Sequence, residues 1–179
     1  MNNQSAFHLI TQIMQKENVS GVLIGGFAIN FYKVTRQTAD IDFLITKEDF
    51  DKISVALEKS GYRQSRFEEN FVQLKSSNLS LMDIDFMFVD RETLTKILDE
   101  AKPVKITGKT FIIPSLNHLI ALKLHSIKYN PKIRLLSDLP DIISLIRIND
   151  VNIHTKGFKE LCLKYGTEDI YEKILEALK

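Results

Sequence analysis

The stretch that decides the fold reads Gly25-Gly26-Phe27-Ala28, then Arg36-Gln37-Thr38-Ala39-Asp40-Ile41-Asp42-Phe43-Leu44-Ile45. The preceding Val22-Leu23-Ile24 is a short apolar run, read as a buried strand that feeds a tight turn at the glycine pair. Phe27 to Tyr32 opens a helix after that turn, and Ile41–Ile45 is a second strand. Asp40 and Asp42 stand two residues apart, which on a strand puts both carboxylates on one side of the sheet. Side by side they repel, and each favours protonation unless a cation sits between them. Hard oxygen ligands with room for water and phosphate suit Mg²⁺. The chain has 7 glycines in 179 residues, about 4%, and three of them fall within 21–26. A Gly-Gly between strand and helix lets backbone N–H groups approach an anion, so a phosphate cradle beside a metal site is expected.

Working outward, Thr46 with Asp49 three residues on starts a helix over 47–59, and Gly61 stops it. Two strands follow at 70–75 and 80–89, joined by Ser76-Ser77-Asn78. In the second, Asp83 and Asp85 share one face, while Met82, Ile84, Phe86 and Phe88 share the other. If this strand neighbours 41–45, three carboxylates converge on one or two metals about 3.5–4 Å apart, the arrangement of a two-metal phosphoryl-transfer site. Upstream, Ala6, Leu9, Ile10, Ile13 and Met14 predict an amphipathic helix over 4–17. Downstream, Asp90 caps a helix to about 101, Thr107-Gly108-Lys109 is a hairpin turn, and helices are predicted over 116–129, 137–147, 155–165 and 168–178. The expected architecture is α/β (α+β): a small mixed sheet flanked by helices over 1–114, then a helical portion over 115–179 packed on it.

Lys and Arg number 24 against 23 Asp and Glu, yet the charges are segregated. Residues 37–100 carry 8 bases and 14 acids, whereas 101–137 carry 7 bases (Lys102, Lys105, Lys109, Lys123, Lys128, Lys132 and Arg134) and no acid. A near-neutral total therefore conceals an acidic metal-binding half and a basic half that polyphosphate or RNA would find attractive. The alternative is that these lysines only solvate a hairpin and a helix. The one cysteine, Cys162, excludes an internal disulfide and a cysteine-rich zinc site, and it reads as a buried small hydrophobe. His118 and His125 lie seven apart on one helix face, but no third nitrogen ligand accompanies them. No leader pattern and no apolar run of ~20 residues is present, so a cytoplasmic protein without membrane association is expected.

The ordered set G-G-F-A-I, R-x-T-x-D-I-D-F-L-I, P-S-L-x-H-L-I-A-L-K-L and a D-L-x-D-I helix resembles the nucleotidyltransferase superfamily that includes DNA polymerase beta. Within it, the set is most similar to AbiEii-like type IV toxin nucleotidyltransferases, over roughly residues 20–146. The resemblance implies transfer of a nucleoside monophosphate from an NTP such as ATP to a hydroxyl acceptor: a tRNA, a protein or a small molecule. It implies two Mg²⁺ ions, with Mn²⁺ as the alternative, held by Asp40, Asp42 and Asp85, with Asp83 the other choice for third carboxylate. It assigns Gly25 and Gly26 to the phosphate loop, Arg36 and Thr38 to the approach to the metal strand, and Lys123 to the triphosphate. Asp138 and Asp141 match an acidic helix motif, with Asp141 facing inward beside Ile142 and Leu145. It also implies a toxin partnered by an antitoxin protein. Two departures stand out: Gly26 replaces the usual serine, and Ser137 stands where a lysine often precedes the first Asp. The competing expectations are a solvent-facing edge for Asp40 and Asp42, a lysine snorkelling at a core rim for Lys123, and a helix N-cap role for Asp138. At the level of function they are a non-catalytic nucleotide-binding relative and a protein-interaction module.

Overall fold

The computed structural model describes residues 5–179 and divides them into two compact units, 5–28 with 37–114 and 29–36 with 115–179. The helix expected over 4–17 is α1 (Ala6–Lys16), capped by Ser5, while residue 4 lies outside the described residues.

The first unit is built on β1 (Val22–Leu23), β2 (Asp40–Ile45), β3 (Tyr62–Glu68), β4 (Phe71–Ser76) and β5 (Asp83–Phe88), in the order β1-β2-β5-β4-β3. Only the β2–β5 pairing is parallel; β1–β2, β5–β4 and β4–β3 are antiparallel. The chain crosses from β2 to its parallel neighbour through α3 (Lys47–Lys59) and the β3–β4 hairpin. α3 starts where the sequence says it should, because the Thr46 hydroxyl accepts the Asp49 N–H. Ile41, Phe43 and Ile45 alternate with the aspartates and are buried, as are Ile84 and Phe86 opposite them. Phe43 stacks on Phe86 at 5.8 Å between centroids, and Phe50 of α3 meets Phe86 at 5.2 Å and Phe88 at 5.3 Å. Each such fully buried ring or branched chain contributes about 2–3 kcal/mol. One face of β2 and β5 is thereby fixed as core, and the other must carry the aspartates.

α4 (Arg91–Asp99) is capped by Asp90, and β6 (Lys102–Ile106) pairs with β7 (Lys109–Ile113) across Thr107-Gly108, both at positive φ as a two-residue hairpin turn demands. The starts of α3 and α4 are tied by Asp49, whose carboxylate is 4% exposed and meets Lys52 and Arg91 at 2.6 Å each. Burial pushes this acid up, but the hydrogen bonds from Arg91, Lys52 and Thr46 outweigh it and hold it down at about 2.

Three expectations change. The glycine pair is not a turn ahead of the helix: α2 (Gly25–Phe31) begins on Gly25 itself. The strand β3 was not expected, because Tyr-Arg-Gln-Ser-Arg-Phe-Glu buries only Tyr62; its backbone pairing with β4 makes it a strand. The helix expected over 137–147 starts six residues earlier, as α6 (Pro131–Ile148), with Pro131 in its first turn.

The second unit is helical beyond residue 114. α5 (Leu116–Tyr129), α6, α7 (Lys156–Tyr165) and α8 (Glu168–Ala177) enclose Ile120, Leu124, Ile142, Leu145, Cys162 and Ile174, all fully buried. Burial raises the Cys162 thiol to about 12, so it is an inert core residue. Asn30 ties the segment 29–36 into a loop by bonding Arg36 through both its amide ends, at 3.0 and 2.7 Å.

Candidate active site

On the side of the sheet opposite the aromatic core, the β2–β5 register places Asp40 beside Asp83 and Asp42 beside Asp85. Parallel neighbours in register present their side chains to the same face, so four carboxylates line one strip. Three of them close up: oxygens of Asp40, Asp42 and Asp85 lie within 4.8 Å of one another. Asp83 goes elsewhere. Its Oδ1 accepts the Ser76 N–H at 3.0 Å, and it borders a cavity of about 330 Å³ whose lining includes Ala39, Asn78 and Ser80. Asp85, buried at 8% exposure, is thus the third member of the triad, and the solvent-facing edge is not what the structure builds.

The glycines explain how the carboxylates are admitted. A Cβ on Gly25 would lie 1.9 Å from Asp42 Oδ2, and its φ of +62° is one that residues with a Cβ rarely adopt. A Cβ on Gly26 would stand 2.6 Å from the Thr38 Cβ. The start of α2 therefore sits against Asp42 and Thr38, and any larger residue at 25 would push the Asp42 carboxylate aside. The Thr38 hydroxyl lies 3.0 Å from Asp40 Oδ1 and 3.1 Å from its carbonyl oxygen, steadying the entry to β2. Backbone pairing of Ile24 N–H with the Asp42 carbonyl at 2.9 Å holds the start of α2 to the same strand. A residue missed from sequence is Gln73 on β4, directly beside Asp85 in register; its Nε2 donates to Asp85 Oδ2 at 3.4 Å. Its signal was the alternation of β4, visible only once β4 is known to neighbour β5.

The donor set fits a divalent cation of the Mg²⁺ type. Three hard carboxylate oxygens converge, no thiol or imidazole belongs to the cluster, and a neutral amide orients the most buried acid.

The second unit carries a separate charged cluster. Lys123 of α5 is buried, not at a rim, and its ammonium donates to Asp138 Oδ1 at 2.8 Å and to Asp141 Oδ2 at 2.7 Å. The other oxygen of Asp141 accepts from Arg36 Nη1 at 2.5 Å, with the arginine side chain 36% exposed. Asp138 lies one and a half turns or more inside α6, so the N-cap role does not hold; Asp138 and Asp141, one turn apart, both face inward.

A mixed sheet whose parallel pair carries three convergent aspartates, with an obligatory glycine against them, defines a nucleotidyltransferase-type protein. The family described as uncharacterised nucleotidyltransferase matches residues 6–179, so the chain belongs to it and is a nucleotidyltransferase enzyme. No curated protein sequence matches. Among solved structures, the chain is similar to ANT(2″)-Ia in complex with adenylyl-2″-tobramycin: 14% identity over 97% of each chain, TM-score 0.62. It is also similar to an antigenic nucleotidyltransferase-like protein from Paracoccidioides brasiliensis, with 16% identity over 98% of this chain and 94% of that one, TM-score 0.57. The lincosamide antibiotic adenylyltransferase LnuA, lincomycin-bound, matches at 14% identity over 80% and 96%, TM-score 0.55. At these identities the likeness is one of fold. Among the described residues no helix is long and apolar enough to cross a membrane.

Proposed function

We propose that this protein transfers a nucleoside monophosphate from an NTP to a hydroxyl acceptor and releases pyrophosphate. The observation that carries this is the convergence of Asp40, Asp42 and Asp85 on one face of a parallel strand pair, with Gly25 compelled to lack a side chain beside them. In the reaction the acceptor oxygen bonds to the α-phosphorus, the bond from that phosphorus to the bridging oxygen breaks, and the acceptor proton leaves. Asp40 and Asp42 would hold divalent metal, Mg²⁺ or Mn²⁺, and Asp85 would share it. When bound, that metal supplies charge neutralisation on the phosphates and on the two oxygens exchanged at phosphorus. Asp85, oriented by Gln73, takes up the acceptor proton. Thr38 keeps Asp40 in place, and the N–H groups at Gly25 and Gly26 meet phosphate oxygen. The motif resemblance assigns Arg36, Lys123 and Asp141 to the nucleotide; within the second unit Lys123 acts as a positioning residue that holds Asp138 and Asp141, the latter in turn holding Arg36, whose guanidinium is partly exposed.

The acceptor is a tRNA, a protein or a small molecule, and the cytoplasm, rich in NTP and Mg²⁺, is where the reaction would run. The AbiEii-like motifs support a toxin neutralised by an antitoxin; expression that arrests growth, relieved by Asp42→Ala, is the outcome expected for that. The central experiment incubates the protein with α-labelled NTPs, Mg²⁺ and total tRNA, or an aminoglycoside or lincosamide, beside Asp42→Ala. Label should move to one acceptor class in the parent alone. Absence of transfer, or transfer that persists in the variant, defeats the proposal; Mg²⁺-dependent NTP binding without pyrophosphate release identifies a non-catalytic relative instead.

A further inference from the structure

The second unit exposes an apolar stripe that its own fold does not cover. On α6, Ile133, Leu136 and Pro140 follow at spacings of three and four and so share one face. Ile133 is 68% and Leu136 84% exposed, Pro140 is exposed as well, and Tyr129 at the end of α5 is 72% exposed. The Tyr129 ring rests on His125, 4.5 Å between centroids, and so stands as a braced platform at one end. Lys128, Lys132 and Arg134 surround these side chains and are all exposed. The only carboxylates of α6, Asp138 and Asp141, are buried against Lys123 and Arg36. The exposed N-terminal half of α6 therefore presents apolar groups and cations, with every acid of the helix turned inward.

We propose that this face docks an acidic amphipathic helix of a partner protein, apolar side chains meeting Tyr129, Ile133, Leu136 and Pro140, and carboxylates meeting Lys128, Lys132 and Arg134. The charge pattern selects this occupant. A second copy placed by two-fold symmetry would set cations against cations. RNA would find the phosphate-binding charge but, beyond Tyr129, aliphatic side chains where base stacking needs rings. A helix with apolar anchors at i, i+3, i+4 and i+7 and glutamates beside them satisfies both parts of the surface. The proposal does not rest on the nucleotidyl-transfer reading, so either can fail alone.

The probe is a fluorescein-labelled 20-residue peptide with Leu at that spacing and Glu on the flanks, titrated with the full chain by anisotropy at low and high salt. Saturable, salt-weakened binding is expected. Ile133→Asp with Leu136→Asp should weaken it about tenfold or more, and Lys132→Gln with Arg134→Gln about threefold. The same peptide with Lys for every Glu should not bind. Both variants alter exposed positions, and Leu136→Ser gives a milder reading should the charged pair unfold. The proposal is overturned if the peptide does not bind, or binds all variants equally. It is equally overturned if the parent sediments as a dimer that Leu136→Ser dissociates, or if a poly(U) oligonucleotide or phosphatidylserine vesicles, and not the peptide, lose affinity in the variants.

Discussion

Two clusters of acidic residues lie in this molecule, and they are built on opposite terms. On β2 and β5 three carboxylates are driven together by strand register, oxygens within 4.8 Å, in a cluster made of like charges. On α6 two carboxylates one turn apart each face a cation, Lys123 at 2.8 and 2.7 Å and Arg36 at 2.5 Å. The second arrangement is complete in itself and contributes to holding helices together. The first is a convergence of like charges that a bound cation would relieve. Like-charge convergence is what the proposed metal site rests on, whereas charge balance marks a support within the scaffold.

Substitutions should separate the two clusters cleanly. Asp42→Ala is expected to reduce nucleotidyl transfer about a thousandfold while leaving the melting temperature unchanged or raised, since it relieves repulsion; a large loss of stability would place this triad with the balanced cluster. Lys123→Met should cost about 3 kcal/mol in urea unfolding, because Asp138 is then buried without its cation. Adding Asp138→Leu should recover part of that loss. Gly25→Ala should cost about 2 kcal/mol through the left-handed backbone and the collision with Asp42, and depress transfer as well. The smallest effect is at Asp49, held at about 2 in the fold. Its folded value lies below the unfolded one near 4, so its contribution is present above pH 4 and fades as pH falls from about 4 to 2. Discounted for the solvent around Arg91, that contribution is about 1 kcal/mol, and Asp49→Asn should flatten the acid limb of a stability-against-pH curve by this amount.

The acidic strip was legible because β2 and β5 alternate strictly: Asp-Ile-Asp-Phe and Asp-Ile-Asp-Phe-Met-Phe each place acids on one face and core on the other. The superfamily resemblance is supported at the level of family and fold. What alternation does not contain is strand order, and only that order turns two D-x-D pairs into a triad and brings Gln73 to Asp85. β3 was invisible for a different reason. An edge strand held by backbone pairing can expose nearly all of its side chains, so Arg63 to Glu68, with Phe67 the single apolar residue, send no alternating apolar signal. The start of α6 was hidden because its apolar residues spread from the exposed Ile133 and Leu136 to the half-buried Leu135 and Leu139, too wide for the single narrow stripe that marks a packed helix. The pairing of Lys123 with Asp138 and Asp141 was not legible, because the two acids lie fifteen and eighteen residues away along the chain.

The contact between Gly25 and Asp42 has a consequence for heredity. With an added Cβ falling 1.9 Å from the Asp42 carboxylate, positions 25 and 42 are coupled: a side chain at 25 displaces the acid at 42 unless that acid has already gone. Gly25→Ala combined with Asp42→Gly would relieve the collision yet leave no ligand to restore. A lineage that abandoned the chemistry would be freed at 42 first and at 25 afterwards. A residue other than glycine at 25 in a descendant would therefore be expected where the proposed metal site had already gone.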